Sequence, residues 1–322
     1  MFRKIQYSLG VKVQMICEFC GSGDFASHTT REMMHGFRDE FEYLECKSCG
    51  CLRIASVPDN LAKYYPCDSY YSYDVTTDLR TRLRRLHLRF ALRSPWIGHV
   101  LGGSMHLQTL DWITFFGLDR GMKILDVGSG GALFVRDLRS VGFTRALGVD
   151  PFINEDVQDE SGLAVKKAYL SEIGGKWDRI MFHHSLEHIS DQVGTLEIVR
   201  AKLASRGLCL VRIPLANWAW QNYGTSWVQL DPPRHLCIHT EKSFRMAAAK
   251  AGLKVPRIIY DSSEFQFWGS ELYKKDIPLQ MGKKELAKHF SIGDLLDFRR
   301  RSEDLNSQGL GDQAIFFVER ED

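Results

Sequence analysis

The sequence has almost no net charge: 42 Lys plus Arg against 40 Asp plus Glu leave +2 over 322 residues. No global field therefore draws it to nucleic acid or to an acidic lipid surface, and a nucleic-acid role would need a local basic patch. No window comes near the roughly 18 consecutive apolar residues of a membrane span. The opening MFRKIQYSLGVKVQMIC has neither the continuous apolar stretch nor the small-residue cleavage site of a secretory leader. The expected location is the cytoplasm. No internal repeat of about 20 to 50 residues is present, nor any low-complexity tract. The 44% hydrophobic and 25% charged residues are those of an ordinary folded enzyme-sized chain, long enough for about two domains.

Disulfide-style cysteine spacing is also missing. Four of the eight cysteines form two tight pairs, Cys17 with Cys20 and Cys46 with Cys49, while Cys51, Cys67, Cys209 and Cys237 are scattered. Gly21 and Gly50 follow the pairs directly, and 25 residues separate Cys20 from Cys46. Two C-x2-C knuckles supply one closed thiolate tetrahedron for structural zinc. The loop exceeds the roughly 15 to 20 residues usual for this pattern, so a hairpin of its own is expected inside it. A site closed by four thiolates has no open position for a substrate, and no catalysis is assigned to it. Residues 1–60 thus read as a zinc-binding module, with Cys51 a spare thiol beside it.

Residues 61–120 read as a connector. Tyr64, Tyr65, Tyr70, Tyr71 and Tyr73 crowd its start, and Leu79, Leu83, Leu86 and Phe90 then recur at helical spacing, predicting mostly helix over 76–118. Arg80, Arg82, Arg84, Arg85, Arg89 and Arg93 alternate with that stripe. They form either a solvated helix face or an anion-binding one. From Lys123 on, β-branched runs (KILDV, ALGVD, DRIMFHH, LCLVRIP) alternate with helical stretches (ALFVRDLRSVG, DQVGTLEIVRAKL, EKSFRMAAAKAG). That alternation predicts a doubly wound, mostly parallel sheet over 121–322. The tail GDQAIFFVER reads as a last, antiparallel strand, and residues 264–308 carry no assignment.

KILDVGSGGALFVRDL is strand, glycine turn and helix in succession, which brings backbone amides up to a ligand. The dinucleotide fingerprint would put glycine at 133, where Leu133 stands. Asp126 at the strand end would repel a pyrophosphate but suits a ligand carrying ammonium and sulfonium groups. Asp150, 22 residues after Gly128 at the end of ALGVD, can accept from two ribose hydroxyls. Pro151 and Phe152 can line an adenine. Asp126, Gly128, Ser129, Gly130 and Ala132 together resemble the first motif of class I S-adenosylmethionine-dependent methyltransferases, with Ala132 in place of a third glycine. The resemblance implies a Rossmann-like seven-stranded sheet and S-adenosylmethionine as cofactor. Within that reading Tyr71 and His183 are further candidates to touch the cofactor, Tyr71 because its segment can fold over it.

WDRIMFHHSLEHISD carries a strand into His183, His184, Glu187 and His188 at the end of the sheet where open α/β proteins keep ligands. HSLEH at 184–188 resembles the branch containing sugar and ubiquinone-precursor methyltransferases. Methyl transfer asks the protein mainly to align the acceptor and remove its proton. His188 is the expected base, with Glu187 orienting it or the acceptor, and His184 the second candidate. No third ligand stands near enough in sequence for H-x-x-x-H to read as a metal site. Farther on, Trp218, Trp220, Tyr223 and Trp227 offer faces for a sugar, and Arg234 and His235 offer donors. D-P-P-R-H-L, FWGSELYKKDIPL and the cysteine module resemble bacterial methyltransferases of polysaccharide and lipopolysaccharide synthesis. The resemblance implies a small-molecule or glycan acceptor, a nucleotide sugar or glycan intermediate, methylated at oxygen or carbon. Two alternatives stand beside it: an RNA methyltransferase using the zinc module and the arginine helix, and a catalytically silent scaffold. Near-zero charge and the lack of an N/D-P-P-Y/F motif weigh against nucleic acid.

Overall fold

In the computed structural model residues 15–65, 83, 85, 86, 88, 92, 108–160, 162–279 and 283–321 are described. Phe25–Arg31 (β1), Glu40–Cys46 (β2) and Leu52–Ile54 (β3) pair antiparallel, and β1–β2 is a hairpin lying between the two cysteine pairs. Cys237–Ile238 (β10), from far along the chain, pairs with β3 and completes a four-stranded sheet. The fully buried Tyr43 of β2 donates its hydroxyl to the His235 carbonyl at 2.6 Å. The cysteine module is therefore sewn into the C-terminal half rather than tethered to it.

The second sheet has eight strands among the described residues, in the order β11-β12-β9-β8-β4-β5-β7-β6. Ile124–Val127 (β4), Ala146–Val149 (β5), Gly162–Lys166 (β7), Trp177–His183 (β8) and Leu203–Pro214 (β9) run parallel. Gln313–Arg320 (β12) is antiparallel to β9, and Leu253–Tyr260 (β11) is antiparallel to β12. Short, half-buried Val157–Asp159 (β6) adds an antiparallel edge, so the expected seven strands become eight.

The period-2 alternation of the strands gives each face its own core. Leu125, Ile180, Phe182, Val211 and Phe316 face Gln192–Lys202 (α3) and Glu241–Lys250 (α5), and the Phe244 ring lies 4.1 Å from that of Phe316. Ile124, Met181, Leu210 and Phe317 face Gln108–Phe115 (α1) and Leu133–Ser140 (α2). Burying each such side chain contributes about 1.5–3 kcal/mol. Helix α5 starts where Thr240 caps it, its hydroxyl accepting from the Ser243 amide while Ser243 answers the Thr240 amide. A serine thus fills the place of the usual Glu or Gln.

Residues 264–308, unassigned in the sequence, contain Phe265–Lys274 (α6), Lys283–His289 (α7) and Ile292–Ser307 (α8). Within α8 only Ser302 is buried, so it has no apolar stripe to announce it. Trp218–Tyr223 (α4) lies in the segment after β9. Positions 83, 85, 86, 88 and 92 are helical, with Leu88 buried and Leu83 and Leu86 exposed. Arg85 pairs with the buried Asp137 of α2 at 3.5 Å, so this arginine faces the protein. Tyr70, Tyr71, Tyr73, Arg80, Arg82, Arg84, Arg89 and Arg93 lie outside the described residues.

Candidate cofactor and acceptor site

The glycine loop after β4 turns on residues with positive φ: Gly128 (+75), Gly130 (+49) and, at the N-cap of α2, Ala132 (+70). Such angles are nearly free for glycine and strained for alanine. The Gly128 amide donates to the Val149 carbonyl at 2.8 Å, tying the loop to the end of β5. Asp126 is 4% exposed, its Oδ1 is buried without a hydrogen-bond partner, and burial together with nearby Asp150 pushes its pKa up to about 7. A buried acid in that state is set to receive a cation. Asp150 Oδ2 accepts from the Gly130 amide at 2.9 Å and Oδ1 from the Phe152 amide at 2.8 Å. Each oxygen keeps a lone pair for a hydroxyl.

Ser129 Oγ is likewise buried without a partner, Pro151 is half-buried, and Phe152 holds its ring 74% exposed beside Asp150. An unpartnered acid, a braced acid, an unpartnered serine hydroxyl and an open aromatic ring match ammonium, ribose, carboxylate and adenine. The residues present therefore fit S-adenosylmethionine.

The turn after β8 abuts this loop. Ser185 donates its hydroxyl to the Val127 carbonyl at 2.6 Å. His183 is half-buried, in edge-on contact with Trp112 (4.0 Å between ring centres) and with Phe134 (4.9 Å), its Nε2 unpartnered, and desolvation holds its pKa well below the ordinary value. It is a neutral ring under the loop.

His184 takes positive φ (+52), and its Nδ1 lies 3.4 Å from Glu187 Oε1. Its side chain remains 35% exposed. Glu187 is 1% exposed and neither carboxylate oxygen has a hydrogen-bond partner; burial would raise its pKa, but His184, His188 and His235 together hold it low.

His188 Nδ1 lies 2.8 Å from the Arg234 carbonyl and 3.1 Å from the Tyr65 hydroxyl. The carbonyl can only accept, so that nitrogen carries the proton, and the remaining lone pair sits on Nε2. Burial and His235 hold the His188 pKa down, against the pull of Glu187. The Tyr65 contact brings the start of the tyrosine-rich connector to the site.

Arg234 and His235, expected as open donors, are buried. Arg234 pairs with Asp231 at 2.7 Å, and His235 Nδ1 lies 2.8 Å from the Gln229 carbonyl. Of the expected aromatic wall, Trp227 is fully buried with Nε1 donating to Asp312 at 2.8 Å, and Trp220 is 7% exposed; both pack with Tyr43, Leu52 and Ile238. Trp218 and Tyr223 are half-buried, and Tyr223 donates to Glu271 at 3.1 Å. A ring in the sequence does not tell which side of a wall it faces. The gathering of His235 onto Glu187 and His188 had no local signal, because 46 residues lie between His188 and His235.

In the cysteine module, Cys17, Cys20, Cys46 and Cys49 converge, with Cys17–Cys49 sulfurs 3.6 Å and Cys20–Cys46 sulfurs 3.4 Å apart. Thiolates about 2.3 Å from zinc stand roughly 3.8 Å from one another, so the donor set suits that ion. Cys51 lies 3.5 Å from Cys49 and 3.7 Å from Cys17. The second knuckle is bolted to α5, since Thr240 donates its hydroxyl to the Cys49 carbonyl at 2.6 Å and Lys242 donates to that of Ser48 at 2.6 Å.

Residues 103–257 match a protein family described as a methyltransferase domain. With the loop and the two strand-end acids, this makes the protein an α/β enzyme of the S-adenosylmethionine-dependent class. It is a methyltransferase.

No curated relative matches the sequence. Among solved structures the chain is similar to the cyclopropane synthase MmaA2 from Mycobacterium tuberculosis, at 17% identity and a TM-score of 0.44, covering 67% of this chain and 86% of that one. It is also similar to a SAM-dependent methyltransferase from Archaeoglobus fulgidus, at 16% identity and 0.42, covering 68% and 95%. A third is an O-methyltransferase from a Brevibacillus brevis polyketide multienzyme with S-adenosyl-L-homocysteine, at 13% and 0.42, covering 72% and 79%. Among the described residues no helix is long and apolar enough to cross a membrane.

Proposed function

We propose that the enzyme methylates a carbohydrate, a nucleotide sugar or glycan intermediate, at oxygen or carbon, and that zinc bound by Cys17, Cys20, Cys46 and Cys49 has a structural role. The observation that carries the reading is the Glu187 and histidine group set against the cofactor loop through Ser185. When bound, S-adenosylmethionine supplies an electrophilic methyl group. Asp126 holds the cationic end, Asp150 the ribose and Phe152 the adenine, while the unpartnered Ser129 hydroxyl serves the carboxylate and Gly128 and Gly130 let the backbone come close.

The acceptor's proton goes to a histidine of the group. What supports His184 over His188 is its half-exposed ring and its Nδ1 turned to Glu187 at 3.4 Å, which leaves Nε2 to take the proton. Glu187, buried and held ionised, stabilises the imidazolium that forms. His188 is half-buried, with Nδ1 committed to the Arg234 carbonyl rather than to Glu187. The carbohydrate acceptor is supported by the sequence resemblance to polysaccharide-pathway methyltransferases, and Tyr65 and Trp218 offer half-buried rings near the insertion.

The test is incubation with methyl-labelled S-adenosylmethionine and separate pools of nucleotide sugars, glycans and RNA. Label in the sugar pools, reduced about 10²- to 10⁴-fold by His184→Gln with cofactor affinity kept, is expected. Label entering RNA alone would overturn the acceptor assignment, and an unchanged rate in His184→Gln would overturn the base.

A further inference from the structure

Glu187 is a buried carboxylate whose oxygens accept no hydrogen bond of ordinary geometry, His184 Nδ1 standing 3.4 Å from Oε1. Leaving such a charge unsolvated costs several kcal/mol unless a cation reaches it. Two further imidazoles face it: a carboxylate oxygen of Glu187 and one ring nitrogen each of His188 and His235 lie within 4.8 Å of one another.

Both rings are held in the same tautomer. His188 Nδ1 is 2.8 Å from the Arg234 carbonyl, and His235 Nδ1 is 2.8 Å from the Gln229 carbonyl. A carbonyl accepts and never donates, so each Nδ1 carries hydrogen. In the neutral rings both lone pairs are then on Nε2.

His235 Nε2 also stands 3.6 Å from Asp231 Oδ2. A neutral ring with its lone pair toward one carboxylate, beside a second carboxylate, is repulsive until a positive charge enters. Locking of the distal nitrogen by a backbone carbonyl is how proteins orient metal-binding imidazoles.

We infer that Glu187, His188 Nε2 and His235 Nε2 form a binding site for one divalent first-row transition-metal ion, separate from the cysteine quartet. Two imidazoles and one carboxylate on one side leave coordination positions free, the donor set of an open site. The chain brings the ligands from two places, the turn after β8 and the segment leading into β10. Tyr43 of the small sheet fixes the second by donating to the His235 carbonyl at 2.6 Å.

The ion's role rests on the methyl-transfer reading, whereas its binding does not. An acceptor oxygen taking one of the open positions becomes more acidic, and the proton leaves to His184. The acceptors favoured are those offering two neighbouring oxygens, such as a vicinal diol, which can hold the ion at one oxygen while the other remains free to be placed.

The test uses full-length protein with zinc retained in the cysteine quartet, titrated with Co2+ and followed by visible absorption and calorimetry. The expected result is one Co2+ per chain with ligand-field bands but no thiolate charge-transfer absorption. Glu187→Gln and His235→Gln should each abolish saturable binding while zinc content stays unchanged. Glu187→Gln nearly preserves shape, so it remains informative if His235→Gln misfolds.

No saturable Co2+ binding by folded wild type would overturn the site, as would binding that survives Glu187→Gln. So would nitrogen-15 spectra showing His235 protonated on both nitrogens in the presence of excess Co2+, with the proton filling the ion's place. Cofactor titration run alongside separates this outcome from failure of the methyltransferase reading, which would remove S-adenosylhomocysteine binding and leave Co2+ binding unaffected.

Discussion

Gly128 and Ser185 meet at the centre of the site: a Cβ placed on Gly128 would lie 2.5 Å from the Ser185 Cβ, closer than real atoms come. The first residue belongs to the cofactor loop and the second to the turn that carries Glu187 and His188. Glycine at 128 lets the two halves touch and also permits φ of +75.

Gly128→Ala is therefore expected to act twice, through strain at positive φ and through the clash. Together these cost on the order of 1–3 kcal/mol in stability and displace the loop from the cofactor. Thermal melts with and without S-adenosylhomocysteine check this. The variant should melt lower and lose most of the ligand-induced rise in Tm.

Asp126 predicts a proton linkage. Its folded pKa is raised to about 7 from an ordinary 3.8, so the unliganded fold favours the neutral acid. Its contribution to stability is fully present below about pH 4 and lost as pH rises through about 7. A bound ammonium reverses the preference and expels the proton. Calorimetry at pH 6.5 in two buffers of different ionisation enthalpy should show proton release on cofactor binding by wild type, and less of it in Asp126→Asn.

The cysteine quartet predicts one zinc per chain in reduced protein, on the order of 10 kcal/mol of folding energy. Cys46→Ser should lose zinc by elemental analysis and melt far below wild type. Because Thr240 and Lys242 bind the second knuckle to α5, the loss should spread to amide-exchange protection of α5. An unprotected hairpin beside an intact α5 would contradict the coupling.

The stretch from β4 through α2 was legible because three signals coincide there: an apolar run, glycines where φ turns positive, and an amphipathic helix. Asp150 was legible by its distance from the loop. Strand β6 was not, because a short edge strand with exposed polar residues such as Gln158 carries no alternation to read, and β7 offers only five residues with Ala164 and Val165 buried side by side.

Trp227 looked like a sugar platform, and its partner Asp312 lies 85 residues away. Only folding shows that its indole is buried. The same holds for His235, whose neighbours in space come from another turn. Local patterns reported the cofactor side, built from one contiguous motif and one strand end, far better than the acceptor side, which three distant segments assemble.

The claim that the two strand-end acids hold S-adenosylmethionine is tested most directly by calorimetric titration of wild type and Asp150→Ala with the cofactor. The substitution removes a charged acceptor from the ribose and frees the Gly130 and Phe152 amides that Asp150 now receives. Wild type should bind one equivalent, and Asp150→Ala should bind at least about 2 kcal/mol more weakly while remaining folded. A folded wild type that gives no binding, or equal affinity in the two proteins, would contradict the account.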